Sequence, residues 1–102
     1  MANYVFAYKG GSMAATDAER EAAMAAWGNW FGSLGQAVVE AGNPFGASTS
    51  VSANGSSGQA GSLSGYSVIA ADDLAAAAEL AKGSPVIAGG GSVEVYETIQ
   101  VM

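Results

Sequence analysis

The sequence predicts an α+β domain with the element order β-α-β-β-α-β, in which two helices cover one face of a four-stranded antiparallel sheet. Three observations lead there. The chain has 102 residues, half of them hydrophobic, which suits one domain with one core and argues against disorder. Period-two patterns open and close the chain, with capped helical patterns between them. Finally, three of the strands carry bulky residues in both registers.

Tyr4, Phe6 and Tyr8 alternate with Val5 and Ala7, which reads as a strand ended by Gly10-Gly11. Thr16-Asp17-Ala18-Glu19 is a capping-box pattern, and Asp17, Glu19 and Glu21 suit the positive end of a helix dipole. The helix is expected to run to about Ala41, with Met24, Trp27, Phe31, Leu34 and Val38 on one face and Gly42 with Pro44 as its stop. A second line on that helix, Ala25, Gly28, Gly32 and Gly35, is unusual. Glycine costs about 1 kcal/mol in a helix interior. The line therefore suggests close approach, either of another packed element or of a bound molecule.

Ser48 to Val51 is a weak strand candidate, and Asn54 to Ser64 is a Gly/Ser-rich loop with a turn signal at Asn54-Gly55. Gly65 to Ala70 reads as a strand. Asp72 or Asp73 caps a short helix whose apolar face is Leu74, Ala77, Ala78 and Ala81. Lys82 closes it, Gly83 terminates it and Pro85 blocks its continuation. Val93, Val95, Ile99 and Val101 alternate with Glu94, Tyr96, Thr98 and Gln100 in a final strand, with Glu97 in the apolar register. This order is the ferredoxin-like arrangement, which leaves one sheet face uncovered. Bulk on that face calls for a cover, and a two-layer domain can find it only in a second copy.

The composition excludes much chemistry. With no His and no Cys, the commonest general base, thiol nucleophile and zinc or haem ligands are missing, so no metal and no cofactor is expected. Nine acids against three bases, Lys9, Arg20 and Lys82, give a charge of −6, which disfavours nucleic acid and anionic membranes as partners. No apolar run is long enough to span a bilayer. The N-terminal run lacks a basic prelude, so no secretion signal is read and a cytoplasmic location is expected. Gly89-Gly90-Gly91 precedes a strand and lacks the lysine of a phosphate loop, and Lys9-Gly10-Gly11-Ser12 is read as a turn. Asp72-Asp73 fits capping better than a metal, which would need more oxygens.

Met24-Ala25-Ala26-Trp27-Gly28-Asn29-Trp30-Phe31-Gly32-Ser33-Leu34-Gly35, followed by Gly42-Asn43-Pro44-Phe45-Gly46, resembles the first helix and following loop of YCII-related proteins. Leu63 to Ile69 and Gly90 to Val95 are similar to the third and fourth strands of that group. The resemblance covers nearly the whole chain, as a single domain over 1–102. It implies the dimeric α/β-barrel superfamily, in which two ferredoxin-like sheets pack face to face. Some members carry a His and an Asp proposed as a catalytic pair; this chain has no His, so the pair does not carry over. The Asp-Gly-Pro-Phe motif that names one subgroup is only echoed, with Asn54-Gly55-Ser56-Ser57 at the corresponding turn.

Two functions fit. One is a homodimeric ligand-binding or accessory module, joined through the open sheet face and taking a small apolar or aromatic ligand beside Trp27, Gly28, Phe31, Gly32 and Asn43. The other is a cofactor-independent enzyme acting on a small ring compound by proton transfer or oxygenation. Its candidate groups are Glu97, whose burial would raise its pKa toward a base's range, and the phenols Tyr8 and Tyr66. Trp27, Trp30, Tyr8 and Tyr66 otherwise serve the core.

Overall fold

The computed structural model describes residues 1–10, 16–56, 58 and 61–101. The Gly11-Ser12 part of the expected first turn, Ser57 of the motif echo, and residues 59–60 of the Gly/Ser loop lie outside them. Strand β1 (Ala2–Lys9) is the centre of the sheet. It pairs antiparallel with β5 (Leu63–Ala71) on one side and with β6 (Ser92–Glu97) on the other. The short β2 (Val38–Glu40) adds to the far side of β5, giving the order β2-β5-β1-β6. The fold is α+β with a four-stranded antiparallel sheet, compatible with a ferredoxin-like arrangement.

The register sorts the side chains. Tyr4 faces Ile69 and Glu97, Phe6 faces Ser67 and Val95, and Tyr8 faces Gly65 and Val93 across the ladders. These positions share one face, where Trp30, Ala77, Ala81 and Val86 of the helices complete the buried cluster. Tyr4, Phe6 and Ile69 are essentially sealed from solvent. Val5, Ala7, Tyr66, Val68, Ala70 and Tyr96 alternate onto the other face, which no described helix covers. The molecule is accordingly a slab, 19 Å along its shortest axis.

Helix α1 (Asp17–Leu34) starts where its capping signal lies: the Glu19 amide donates to Thr16 Oγ1 at 3.1 Å. It ends earlier than expected. Gly35 adopts φ +57° and its amide donates to the Phe31 carbonyl, so the chain turns there, makes a 3-10 turn over Gly35–Ala37 and enters β2. The second sheet strand is thus Val38–Glu40 and not Ser48–Val51. Val38 is apolar on both the helical and the extended reading, and the extended one won because β5 offers it a ladder. Val51–Ser52 (β3) instead pairs with Gly55–Ser56 (β4) in a separate hairpin at the Asn54-Gly55 signal.

Helix α2 (Leu74–Ala81) is capped by Asp73, whose carboxylate accepts from the Ala76 amide at 2.8 Å. Pro85 does more than block α2. With Ser84 as cap, it starts a single turn, α3 (Pro85–Ala88), that brings Val86 into the core. The last strand ends at Glu97, four residues short of Val101, and Ile99 and Val101 are 78% and 85% exposed.

Candidate functional site

Between α1 and the sheet the seam is filled by aromatic rings. Trp27 meets Tyr8 edge-on with centroids 5.0 Å apart, and Trp30 lies 5.1 Å from Phe31 and 6.2 Å from Phe6. Trp30 is buried, and its indole N–H donates to the Leu80 carbonyl at 3.3 Å. Trp27 and Phe31, expected at a ligand pocket, therefore pack on neighbours. The glycine line departs from the expectation of close approach. Gly28 and Gly32 are exposed, and a side-chain carbon on either would meet nothing within 4 Å. Gly35 lies outside the helix altogether. α1 leans on the sheet through the Trp30 side, so the glycines point into open space.

Asn43 sits elsewhere, beside Tyr66. Its carbonyl accepts from the Tyr66 amide at 3.3 Å. The next residue, Pro44, bridges to Gly65, and the Phe45 amide donates to the Ser64 carbonyl. This strap lays Phe45 on Tyr66 as a near-parallel stack, centroids 5.8 Å apart and planes 17° apart. The Tyr66 hydroxyl donates to Glu40 Oε1 at 2.8 Å, and that bond to a carboxylate holds the phenol pKa above its usual value. Gly42 makes the strap possible. At φ +75° it runs so close to β5 that a methyl group on it would overlap the Tyr66 carbonyl. Beside the strap lies a shallow depression of about 290 Å³ lined by Phe45, Gly46, Ala47, Ser48, Gly61 and Leu63.

The three proton-transfer candidates do not meet. Tyr8 is on the helix side of the sheet and buried; its hydroxyl donates to Ser67 Oγ at 2.8 Å. Ser67 in turn donates to the Ala41 carbonyl at 2.6 Å. Burial raises the Tyr8 pKa and the Ser67 bond only partly offsets it, so the phenol stays protonated at neutral pH. Tyr66 points to the opposite face. Glu97 keeps the apolar register, opposite Tyr4, but stands exposed where the ladder ends. The expected burial of Glu97 fails because β6 stops there and no described element covers it. Its charge still contributes to raising the pKa of Tyr4, after burial itself.

Ser67 and Phe45 are the residues that sequence reasoning missed. Ser67 was findable as a polar residue in the inward register of a strand, between Gly65 and Ile69. Phe45 follows a Gly-x-Pro turn signal but has no periodic pattern to give it a face. Among the described residues no three acids gather as a metal site, and no helix is long and apolar enough to cross a membrane. Set against known proteins, the chain matches no family model, no curated sequence and no solved structure.

Proposed function

We propose that this chain is a homodimeric binding module of the YCII-related kind, joined sheet to sheet, that takes a small flat apolar or aromatic ligand and performs no His-dependent chemistry. One observation carries it: Val5, Tyr66, Val68 and Ala70, half-buried, and Tyr96, exposed, put apolar surface on the sheet face opposite the helices. An exposed apolar patch of this kind marks an interaction surface. Its charged groups are paired, Lys9 with Glu94 at 3.7 Å, and Glu40 with the Tyr66 hydroxyl. Four strands about 4.8 Å apart and six residues long present about 400 Å² per copy. Two such faces together, about 800 Å², fall in the range of weak and transient pairs.

The ligand surface is the Phe45–Tyr66 stack with its neighbouring depression. A flat ring can extend an aromatic stack at little entropic cost, since both protein rings already hold their geometry. Proton transfer is the weaker reading, because Tyr8, Tyr66 and Glu97 belong to three different surroundings.

Sedimentation equilibrium tests the reading. The expected mass is twice the 10.0 kDa of the chain, falling to the monomer in Val68→Asp, which puts a charge in the middle of the face. A wild-type protein that stays monomeric at high micromolar concentration overturns it.

A further inference from the structure

Nothing charged separates Glu40 from Asp72 in the sequence. The strap, the β3–β4 hairpin and β5 all belong to that stretch, so Glu40 is the charge at its head. It ends β2 and is exposed. The Tyr66 hydroxyl donates to it at 2.8 Å. The Asn43 side chain bonds the same hydroxyl and lowers the phenol pKa, opposing Glu40. One ring is thus held by Glu40 and Asn43 at its oxygen and by Phe45 on its face. Phe45 itself stays 47% exposed.

No cation of the protein answers Glu40. The chain has three basic side chains, and each is paired with another acid: Lys9 with Glu94, Arg20 with Asp17 and Lys82 with Glu79. Lys9 lies opposite Leu63 in the β1–β5 ladder, yet its ammonium turns to Glu94 on β6, 3.7 Å away. Tyr96 makes the contrast. It too donates to a carboxylate, Glu94, at 3.0 Å, but there Lys9 balances the charge. At Tyr66 the carboxylate's partner is a hydroxyl, which carries no net charge.

We propose that the Phe45–Tyr66 stack selects planar organic cations, such as aromatic amidinium or pyridinium ions, with Glu40 as the specificity-determining residue. This rests on the aromatic-ligand surface proposed above and names the charge of its occupant. A flat cation gains twice there: it is drawn to the electron-rich ring faces, and it meets the carboxylate beside Tyr66. A neutral ring gains the stacking alone. An anion of the same shape is repelled by Glu40 and by the chain's charge of −6. At a surface site each attraction is modest, so the cation should be preferred over a neutral ring of its shape by about fivefold.

The probes are benzamidinium, benzamide and benzoate, alike in shape and different in charge. Each is titrated into the full chain with isotope-labelled aromatic rings, and NMR follows the Phe45 and Tyr66 signals. Both rings should respond to benzamidinium, with a Kd about fivefold below that of benzamide, and benzoate should bind more weakly than either. The preference should shrink in high salt and vanish in Glu40→Gln, whose amide oxygen can still accept from Tyr66. Glu40 is exposed, so that variant keeps the fold, and the salt series on wild type reads the same charge without any substitution. Equal affinity for benzamidinium and benzamide, or a preference indifferent to salt or to Glu40→Gln, overturns the selection of cations and leaves the flat-ligand reading standing. If neither compound moves the Phe45 and Tyr66 signals, both readings fall.

Discussion

Ser67→Ala is the sharpest probe of the core, because Ser67 is a relay and not merely a small inward residue. It is wholly buried, accepts from Tyr8 at 2.8 Å and donates to the Ala41 carbonyl at 2.6 Å. Alanine removes one hydroxyl and orphans two groups at once. The Tyr8 hydroxyl, in a residue only 5% exposed, loses its acceptor among aromatic rings. An unsatisfied buried polar group costs about 1–3 kcal/mol. Ala41 is exposed, so water can replace its lost donor at small cost. The expected loss is about 2 kcal/mol, or about 8–16 °C in melting temperature for a domain of this size.

Tyr8→Phe removes the donor instead. Ser67 keeps its bond to Ala41, nothing buried is orphaned, and the loss should be about 0.5–1.5 kcal/mol. In the double variant the orphan hydroxyl is gone. Its loss should therefore fall short of the sum of the singles by about 1 kcal/mol, which a double-mutant cycle resolves. Urea denaturation at one fixed protein concentration is the assay, since the proposed dimer would make stability depend on concentration. Strict additivity, or Tyr8→Phe costing more than Ser67→Ala, would refute the relay.

The remaining predictions are briefer. Gly42→Ala should destabilise the fold severely, because the left-handed backbone and the Tyr66 carbonyl both exclude a methyl group; a soluble variant with a wild-type melting curve would contradict this. Gly83→Ala sets a carbon 3.2 Å from the Trp30 indole nitrogen, so the ring must give way and tryptophan fluorescence should shift along with a modest loss of stability. All four tyrosines have raised pKa values, Tyr4 and Tyr8 chiefly by burial, Tyr66 and Tyr96 chiefly by bonds to Glu40 and Glu94. Each favours the protonated form when folded, so its contribution is intact below about pH 10 and is lost as pH rises through the folded values. Melting temperature should therefore hold to about pH 10 and fall above it, while phenolate absorbance below that pH would argue against the raised values.

Much of the sheet is legible in the sequence, because period two is a strong signal when aromatic and β-branched residues supply it. Tyr4, Phe6 and Tyr8 could be assigned one face from spacing alone, and the β-α-β-β-α-β order implies a second face that the helices leave open. Caps were legible for the same reason: Thr16 and Asp73 act locally, through amides three residues away. What failed was non-local. Nothing near Val38 in sequence says that β5 will offer it a ladder, so a helical pattern running to Ala41 was the reasonable reading. Gly83 was read as a helix terminator, yet its want of a side chain matters for Trp30, 53 positions earlier in the sequence.

The glycine line shows the same limit from the other side, and it reverses a design choice. From sequence, Gly28 and Gly32 looked like room kept for a close neighbour, which makes any larger residue harmful. The packed side of α1 is set instead by Trp27, Trp30 and Phe31, whose rings claim the sheet and leave the glycines facing outward. There they bring only their helix-breaking entropy. Gly28→Ala and Gly32→Ala, with no atom within 4 Å of the added carbon, should each stabilise the protein by about 0.5–1 kcal/mol. The two lie one helical turn apart, so the added methyl groups are neighbours, and the double variant read against the singles measures their coupling. Urea midpoints that fall in either variant would mean that this side of α1 meets a surface in solution, and the partner would then have to be sought on the helix as well as on the sheet.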